Sequence, residues 1–280
     1  MTKPITTQEN EEKKNSMKKP IIEIKDVTKH FGNIIALGGI SMDLYPGEVM
    51  CLLGDNGAGK STLIKTLSGV HEKTSGVYKV DGEDIVEPTP DKLFHKGIAT
   101  VFQDLSTIPL MSISRNFFLG REEEIEKKFG PFKILDYKKA DGIAEKAMKE
   151  IGINIREASQ AVGTLSGGER QCLAIAKAVH FGAKVLILDE PTSALGVAQS
   201  SMVLKYILQA RANNLAVIFI THNVYHAYAV GDRFTILNRG KTFGTYEKDN
   251  VTTEELQVKM AGGKTIQDLS AELGDDSKNL

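Results

Sequence analysis

The sequence predicts an α/β fold built on buried parallel strands, with a helical block inserted in its middle, and three observations predict it. Glu48-Val49-Met50-Cys51-Leu52-Leu53, Lys184-Val185-Leu186-Ile187-Leu188 and Leu215-Ala216-Val217-Ile218-Phe219-Ile220 are short, nearly all-apolar runs, the pattern of strands covered on both faces. Between the first of them and the helix-like stretch Thr62 to Leu67 stands Gly54-Asp55-Asn56-Gly57-Ala58-Gly59-Lys60-Ser61, of the form G-x-x-x-x-G-K-[ST]. Strand, glycine-rich loop and helix in that order are the context in which this pattern cradles phosphate. From Asp104 to about Gly163 the spacing turns helical, in Ile113 to Leu119 and again in Tyr137 to Ile151.

The chain of 280 residues with 41% hydrophobic content supports one large domain or a core with a subdomain. A net charge of −1 supplies no general basic field for nucleic acid. The two cysteines, Cys51 in a predicted strand and Cys172 in a predicted helix, form no C-x-x-C and read as buried, reduced thiols. No apolar run approaches the roughly 18 residues of a membrane span. Residues 1–20 are polar and lysine-bearing without an apolar stretch and read as a solvated tail, as do residues 263–280.

In order, Ile21 to Lys25 and Ile40 to Leu44 alternate as strands of a sheet covered on one side. Phe31, beside Gly32 in the intervening stretch, is either a ring that stacks on a base or a core residue at a strand end. In the loop, Gly54, Gly57 and Gly59 can aim successive N–H groups at one anion, and the helix that follows adds its partial positive charge. Lys60 would reach the β- and γ-phosphates of a nucleotide and the Ser61 hydroxyl would ligate Mg²⁺. Asp55, Asn56, Ala58 and Thr62 complete the candidate phosphate contacts. Val77 to Val80 with Asp81-Gly82 reads as a strand and tight turn.

Gly97 to Gln103 is a strand ending in an amide, and Gln103 is either a ligand contact at the carboxyl end of the sheet or a surface side chain. The charged run Arg121 to Lys128 reads as a solvated face. At Leu165-Ser166-Gly167-Gly168-Glu169-Arg170-Gln171 a helix begins that continues to Phe181. Free N–H groups, a hydroxyl and two unobstructing glycines make Ser166, Gly167, Gly168 and Glu169 a second candidate anion site, which a simple N-cap at Ser166 does not fully explain. The strand before Asp189-Glu190 ends in two carboxylates; on an extended strand these point to opposite faces and so take different roles. Asp189 fits as a Mg²⁺ partner of Ser61, and Glu190 as the group facing an attacking water. His222, closing the third buried strand, is a structural residue or a donor to the γ-phosphate. Phe234 to Leu237 and Lys241 to Tyr246 read as a hairpin, and Glu254 to Met260 as a short helix.

With these elements in this order, residues 20–262 resemble the ATP-binding subunits of ABC transporters. Gly54 to Ser61 is similar to Walker A, Gln103 to the Q-loop residue, Leu165 to Gln171 to the signature motif, Val185 to Asp189 to Walker B with Glu190 as catalytic glutamate, and His222 to the switch histidine. Phe31 falls where the family places an adenine-stacking aromatic. Asp104-Leu105-Ser106, Pro191 to Val197 and Lys259 to Gly263 further resemble bacterial monosaccharide importers of the ribose, xylose and fructose group. Gly196 stands where most of the family carries Asp.

The resemblance implies a phosphate-loop NTPase core over 21–262 with an antiparallel β subdomain and a helical subdomain at about 104–163. It implies ATP and Mg²⁺, the metal held by Ser61, Gln103 and Asp189, and hydrolysis served by Glu190, His222, Lys60 and Gln103. It also implies peripheral attachment to the cytoplasmic membrane face through a transmembrane permease, indirect dependence on a solute-binding protein, and no nucleic acid. A single copy of each motif implies a second copy of the chain, whose signature would close over this chain's ATP. A subunit serving another solute, or a soluble ABC ATPase, stays open on the sequence.

Overall fold

The computed structural model describes residues 19–153 and 155–262, so the terminal tails fall almost wholly outside the described residues. Two antiparallel strands, β1 (Ile22–Phe31) and β2 (Ile34–Leu44), precede β3 (Val49–Leu53), which is followed by α1 (Lys60–Leu67). Then come β4 (Ser75–Val80), β5 (Glu83–Asp84), α2 (Pro90–His95) and β6 (Ile98–Val101). The middle block holds α3 (Ile113–Phe117), the strands β7 (Glu126–Phe129) and β8 (Phe132–Leu135), and α4 (Tyr137–Glu150). It leads into α5 (Gly167–His180), β9 (Val185–Asp189), α6 (Val197–Ala212) and β10 (Ala216–Ile220). The chain then forms α7 (Val224–Val230), β11 (Arg233–Asn238), β12 (Lys241–Glu247) and α8 (Thr253–Met260).

The buried runs form the centre of a six-stranded sheet in the order β12, β11, β3, β10, β9, β6. All neighbours from β11 to β6 are parallel, and β12 closes one edge antiparallel. A second sheet, antiparallel, has the order β2, β1, β4, β5. Alternation along the strands divides the core in two. Val49, Cys51, Leu53, Leu186, Leu188, Val217 and Phe219 pack with α4, α5 and α6. Met50, Leu52, Val185, Ile187, Ala216, Ile218 and Ile220 pack with α1 and the antiparallel sheet. The parallel sheet is therefore covered on both faces, which is why its strands read as unbroken apolar runs. The thiols of Cys51 and Cys172 are both buried, and burial pushes that of Cys172 up to about 12.

The middle block is mixed rather than purely helical. Asp136 caps α4 by accepting from the Lys139 N–H at 3.1 Å, and Ala140, Ala144, Ala147 and Met148 bury one stripe of it. The charged run read as a solvated face is largely exposed, and it makes a 3₁₀ turn at Glu122–Ile125 and then strand β7. Gly130-Pro131 is the turn of the β7–β8 hairpin. The block is also continuous with the core of the main sheet, since Phe117, Ala144 and Met148 share a cluster with Leu186 and Phe219.

One buried ion pair fixes the far end of the parallel sheet. The Arg233 guanidinium bonds the Glu48 carboxylate and the Asp43 carbonyl and lies 5.2 Å over the Tyr45 ring. Burial raises the pKa of the Glu48 carboxyl and Arg233 pulls it back. Arg233→Ala should thus cost about 3–5 kcal/mol, because a buried carboxylate loses its partner. The urea midpoint of unfolding measures this, and the double variant Arg233→Ala/Glu48→Gln should recover part of the loss.

Candidate functional site

The strand order decides what meets at the carboxyl edge of the sheet. β3 delivers the glycine-rich loop, β10 delivers Thr221-His222, β9 delivers Asp189-Glu190, and β6 delivers Gln103, in adjacent positions. A cavity of about 630 Å³ opens there, and it is lined by Asp55 to Thr62, Gln103, Asp189, Glu190 and His222. Four stretches spread along the chain from Asp55 to His222 thus surround one space, as expected of a ligand site in an open α/β sheet.

Gly54 lies behind the loop. Its carbonyl accepts from Lys60 Nζ at 2.6 Å, and that of Asp55 accepts from the same ammonium at 3.0 Å. A Cβ at Gly54 would stand 2.5 Å from the Leu237 carbonyl oxygen, and φ there is +151°, so no other residue fits without moving β11. The β11–β12 turn also braces the loop. The Gly240 N–H donates to the Ala58 carbonyl at 2.9 Å, and the Gly38 N–H donates to the Gly240 carbonyl at 2.7 Å. Gly59, at φ 100°, caps α1, which starts at Lys60. Burial lowers the pKa of the Lys60 ammonium, while Glu190, Asp55 and Asp189 hold it up.

β9 ends at Asp189, which continues the parity of Val185 and Ile187 and so lies on the α1 side of the sheet. Burial raises the pKa of its carboxyl, Glu190 adds to this, and Lys60 opposes it. Glu190 is not part of the strand, so the expected opposite-face argument is replaced by a different geometry. Its φ is 47°, left-handed and costly for a non-glycine residue. The conformation is held from three sides. The Glu190 N–H donates to the Ile220 carbonyl at 3.0 Å, its carbonyl accepts from Ser193 Oγ at 3.0 Å, and both carboxylate oxygens lie 3.0 Å from His222 Nδ1. Gln103 Nε2 is 3.5 Å from the same Ser193 hydroxyl. Hydrogen bonds therefore link Gln103 to Glu190 through Ser193.

Two sets of candidate residues are placed elsewhere. Phe31 ends β1 half-exposed, with its ring edge-on to His71 at 5.2 Å and the Lys29 ammonium 5.0 Å away. It is not among the cavity lining, where Ile34, Ile35 and Ala36 of β2 stand instead. Ser166, Gly167, Gly168 and Glu169 do not line the cavity of their own chain either. They start α5 with a reciprocal cap. Ser166 Oγ accepts from the Glu169 N–H at 3.3 Å, and the Glu169 carboxylate accepts from the Ser166 N–H at 2.7 Å. The paired glycines have a packing reason as well as an anion-binding one, since a Cβ on Gly167 would meet Leu195 and one on Gly168 would meet Gln199, each at 3.0 Å.

Sequence reasoning missed Ser193 and Arg239, both in the cavity lining. Ser193 follows the acidic pair closely enough to have been suspected, whereas nothing local marks Arg239, which a left-handed turn presents at φ 47°.

Residues 37–193 match the family model described as ABC transporter. The chain belongs to the ABC transporter family. It is 41% identical over 236 residues to the xylose/arabinose import ATP-binding protein of Sulfolobus acidocaldarius, a match covering 84% of this chain and 92% of that protein. Identity to the fructose import ATP-binding protein of Rhizobium meliloti is 39% over 247 residues, 88% of this chain and 95% of that one. Against a ribose import ATP-binding protein of Escherichia coli O157:H7 it is 34% over 250 residues, but the chain spans only 48% of that protein. Among solved structures, an ATP-binding cassette of an ABC transporter in its ADP conformation superposes with a TM-score of 0.75 at 22% identity, over 90% of this chain and 98% of that one. A dimeric cassette in a post-hydrolysis state, bound to ADP and phosphate, gives 0.68 at 25% identity, over 81% and 98%. As an ABC cassette the chain has the expected α/β core, antiparallel sheet and inserted block.

Proposed function

We propose that this cassette binds and hydrolyses ATP to energise uptake of a monosaccharide through a separate membrane permease. The observation that carries the proposal is the single cavity that gathers the phosphate loop, Asp189-Glu190, Gln103 and His222, on a chain whose full-length relatives are import ATP-binding proteins for xylose/arabinose and fructose. The loop N–H groups and Lys60 hold the phosphates, Glu190 polarises the attacking water, and His222 orients Glu190 and meets the γ-phosphate. Ile34 and Ile35 form an apolar flank beside which the adenine would lie, with Phe31 across the turn as its stacking partner.

The donors present suit Mg²⁺. Ser61, Asp189 and Gln103 offer hydroxyl, carboxylate and amide oxygens, and Mg²⁺ is commonly held by one or two carboxylates together with substrate phosphates. When bound, the ion neutralises charge on the β- and γ-phosphate oxygens. Excess chelator should therefore reduce phosphate release to background, and added Mg²⁺ should restore it. Hydrolysis that persists in chelator would remove Ser61 and Asp189 from this role.

In this reading the permease would dock at the groove between the Gln103 segment and α5, lined by Phe94, Phe102, Leu105, Leu173 and Ala174, beside the exposed Ile108 and Leu110. Gln103 then links that groove to Glu190 through Ser193. The chain is peripheral on the cytoplasmic face in this reading; among the described residues no helix is long and apolar enough to cross a membrane. The deciding experiment isolates the chain from detergent-solubilised host membranes and reconstitutes it with the co-purifying permease and binding protein. ATP hydrolysis stimulated by one monosaccharide supports the proposal and names the sugar. Recovery without a membrane protein, or stimulation by a solute of another class, overturns it.

A further inference from the structure

We propose that the β7–β8 hairpin contacts the membrane itself, seating its tip among the headgroups of an anionic bilayer. The cross-strand pairs are Glu126 with Leu135, Lys127 with Ile134, Lys128 with Lys133, and Phe129 with Phe132. Strand alternation puts Lys127, Phe129, Phe132 and Ile134 on one face and Lys128 and Lys133 on the other. The apolar face is uncovered, with Phe129 70% and Phe132 69% exposed. Two aromatic rings at the turn of a hairpin that stands off both main sheets gain nothing from the fold and cost solubility, so they mark a surface that meets something apolar.

The charges name the occupant. Nearest the two rings stand Lys127, Lys128 and Lys133, while the acids Glu122, Glu123, Glu124, Glu126 and Asp136 all lie at the root, away from the tip, Glu126 paired with Lys133 at 2.7 Å and Asp136 with Lys127 at 3.3 Å. Lys128 has no ion-pair partner among the described residues. An apolar tip followed by a ring of lysines matches the layering of a bilayer interface, with acyl chains below and anionic headgroups above. The exposed root pairs are weak and exchange readily for lipid phosphate. Backbone groups at the tip remain hydrated at headgroup depth, so no closed barrel is needed. The hairpin follows Arg121, whose guanidinium lies 4.3 Å from the centre of the Phe94 ring in the groove assigned to the permease. This element would therefore hold the cassette against the lipid beside that contact.

The chain has no tryptophan, so Phe132→Trp places a single emitter at the tip. With vesicles of phosphatidylethanolamine and phosphatidylglycerol, and no permease, its emission should move to shorter wavelength, less so with phosphatidylcholine alone or at high salt. In sedimentation, Phe129→Ser/Phe132→Ser should bind these vesicles about tenfold more weakly than the wild type, and Lys127→Glu/Lys128→Glu/Lys133→Glu should lose the salt-sensitive part. ATP hydrolysis in solution should be unchanged in all three variants, which shows that they fold. Emission unmoved by vesicles, or moved only when permease is present, overturns the proposal, the latter by showing a protein partner. Neither result bears on whether the cassette serves an importer, because the vesicle test needs no permease.

Discussion

Glu190→Gln is expected to bind ATP as the wild type does and to hydrolyse it roughly 10²–10⁴-fold more slowly, the usual contribution of a positioned general base. Gln is the informative replacement here. Glu190 is held at φ 47°, and Gln inherits the same strained backbone together with the bonds from its N–H to Ile220 and from Ser193 to its carbonyl. Its side-chain oxygen can still accept from His222 Nδ1. What is lost is the negative charge that draws a proton from water. Nucleotide affinity, read by fluorescence of a labelled ATP, isolates this from collapse of the cavity. Hydrolysis near the wild-type rate would remove Glu190 as base and leave His222, its neighbour at 3.0 Å, as the next group to test.

The same neighbourhood shows how far sequence reaches. The loop, the buried strands and the polar residues closing them were legible because each is written in adjacent residues: Gly54 to Ser61 by its glycine spacing, and β3, β9 and β10 by unbroken apolar runs. Their assembly into one cavity depends on the strand order β3, β10, β9, β6, which no local pattern states. Glu190 illustrates the limit. Sequence placed it beside Asp189 and inferred opposite faces, but the strand ends one residue earlier and a left-handed turn aims the side chain instead. Helices α2 and α7 went unread although Thr89 and Asn223 cap them in the ordinary way, whereas α6 escaped notice for a local reason. Gly196, which caps α6, has no side chain to accept from the first turn, so the usual signal for a helix start was missing. In the middle block the charges of Arg121 to Lys128 hid a strand, because a hairpin solvated on one face and apolar at its tip has no continuous apolar run to betray it. Arg239 reaches the cavity only through the fold of the β11–β12 turn.

The second large effect tests where the signature residues act. Ser166 to Glu169 are absent from the cavity of their own chain, yet α5 opens with a hydroxyl, free N–H groups and two close-packed glycines. Beside them Val197, at the start of α6, leaves its apolar side chain 91% exposed. A second copy arranged head to tail would cover Val197 and bring these N–H groups to the other chain's γ-phosphate, giving two equivalent composite sites. Lys60→Ala removes the ammonium that braces the Gly54 and Asp55 carbonyls and should reduce hydrolysis to background. Ser166→Arg fills the signature site; losing its cap costs about 0.5–2 kcal/mol, visible as a modest fall in unfolding midpoint, while hydrolysis should also fall to background. Mixed together, the two inactive chains form dimers with one damaged and one intact site. With random pairing and independent sites, about a quarter of wild-type hydrolysis should return, since half of the dimers are mixed and one site in two survives in each. Differently tagged copies verify that mixed dimers form. If they form and phosphate release stays at background, the signature does not complete the partner's site independently, and the arrangement proposed for the two copies is wrong.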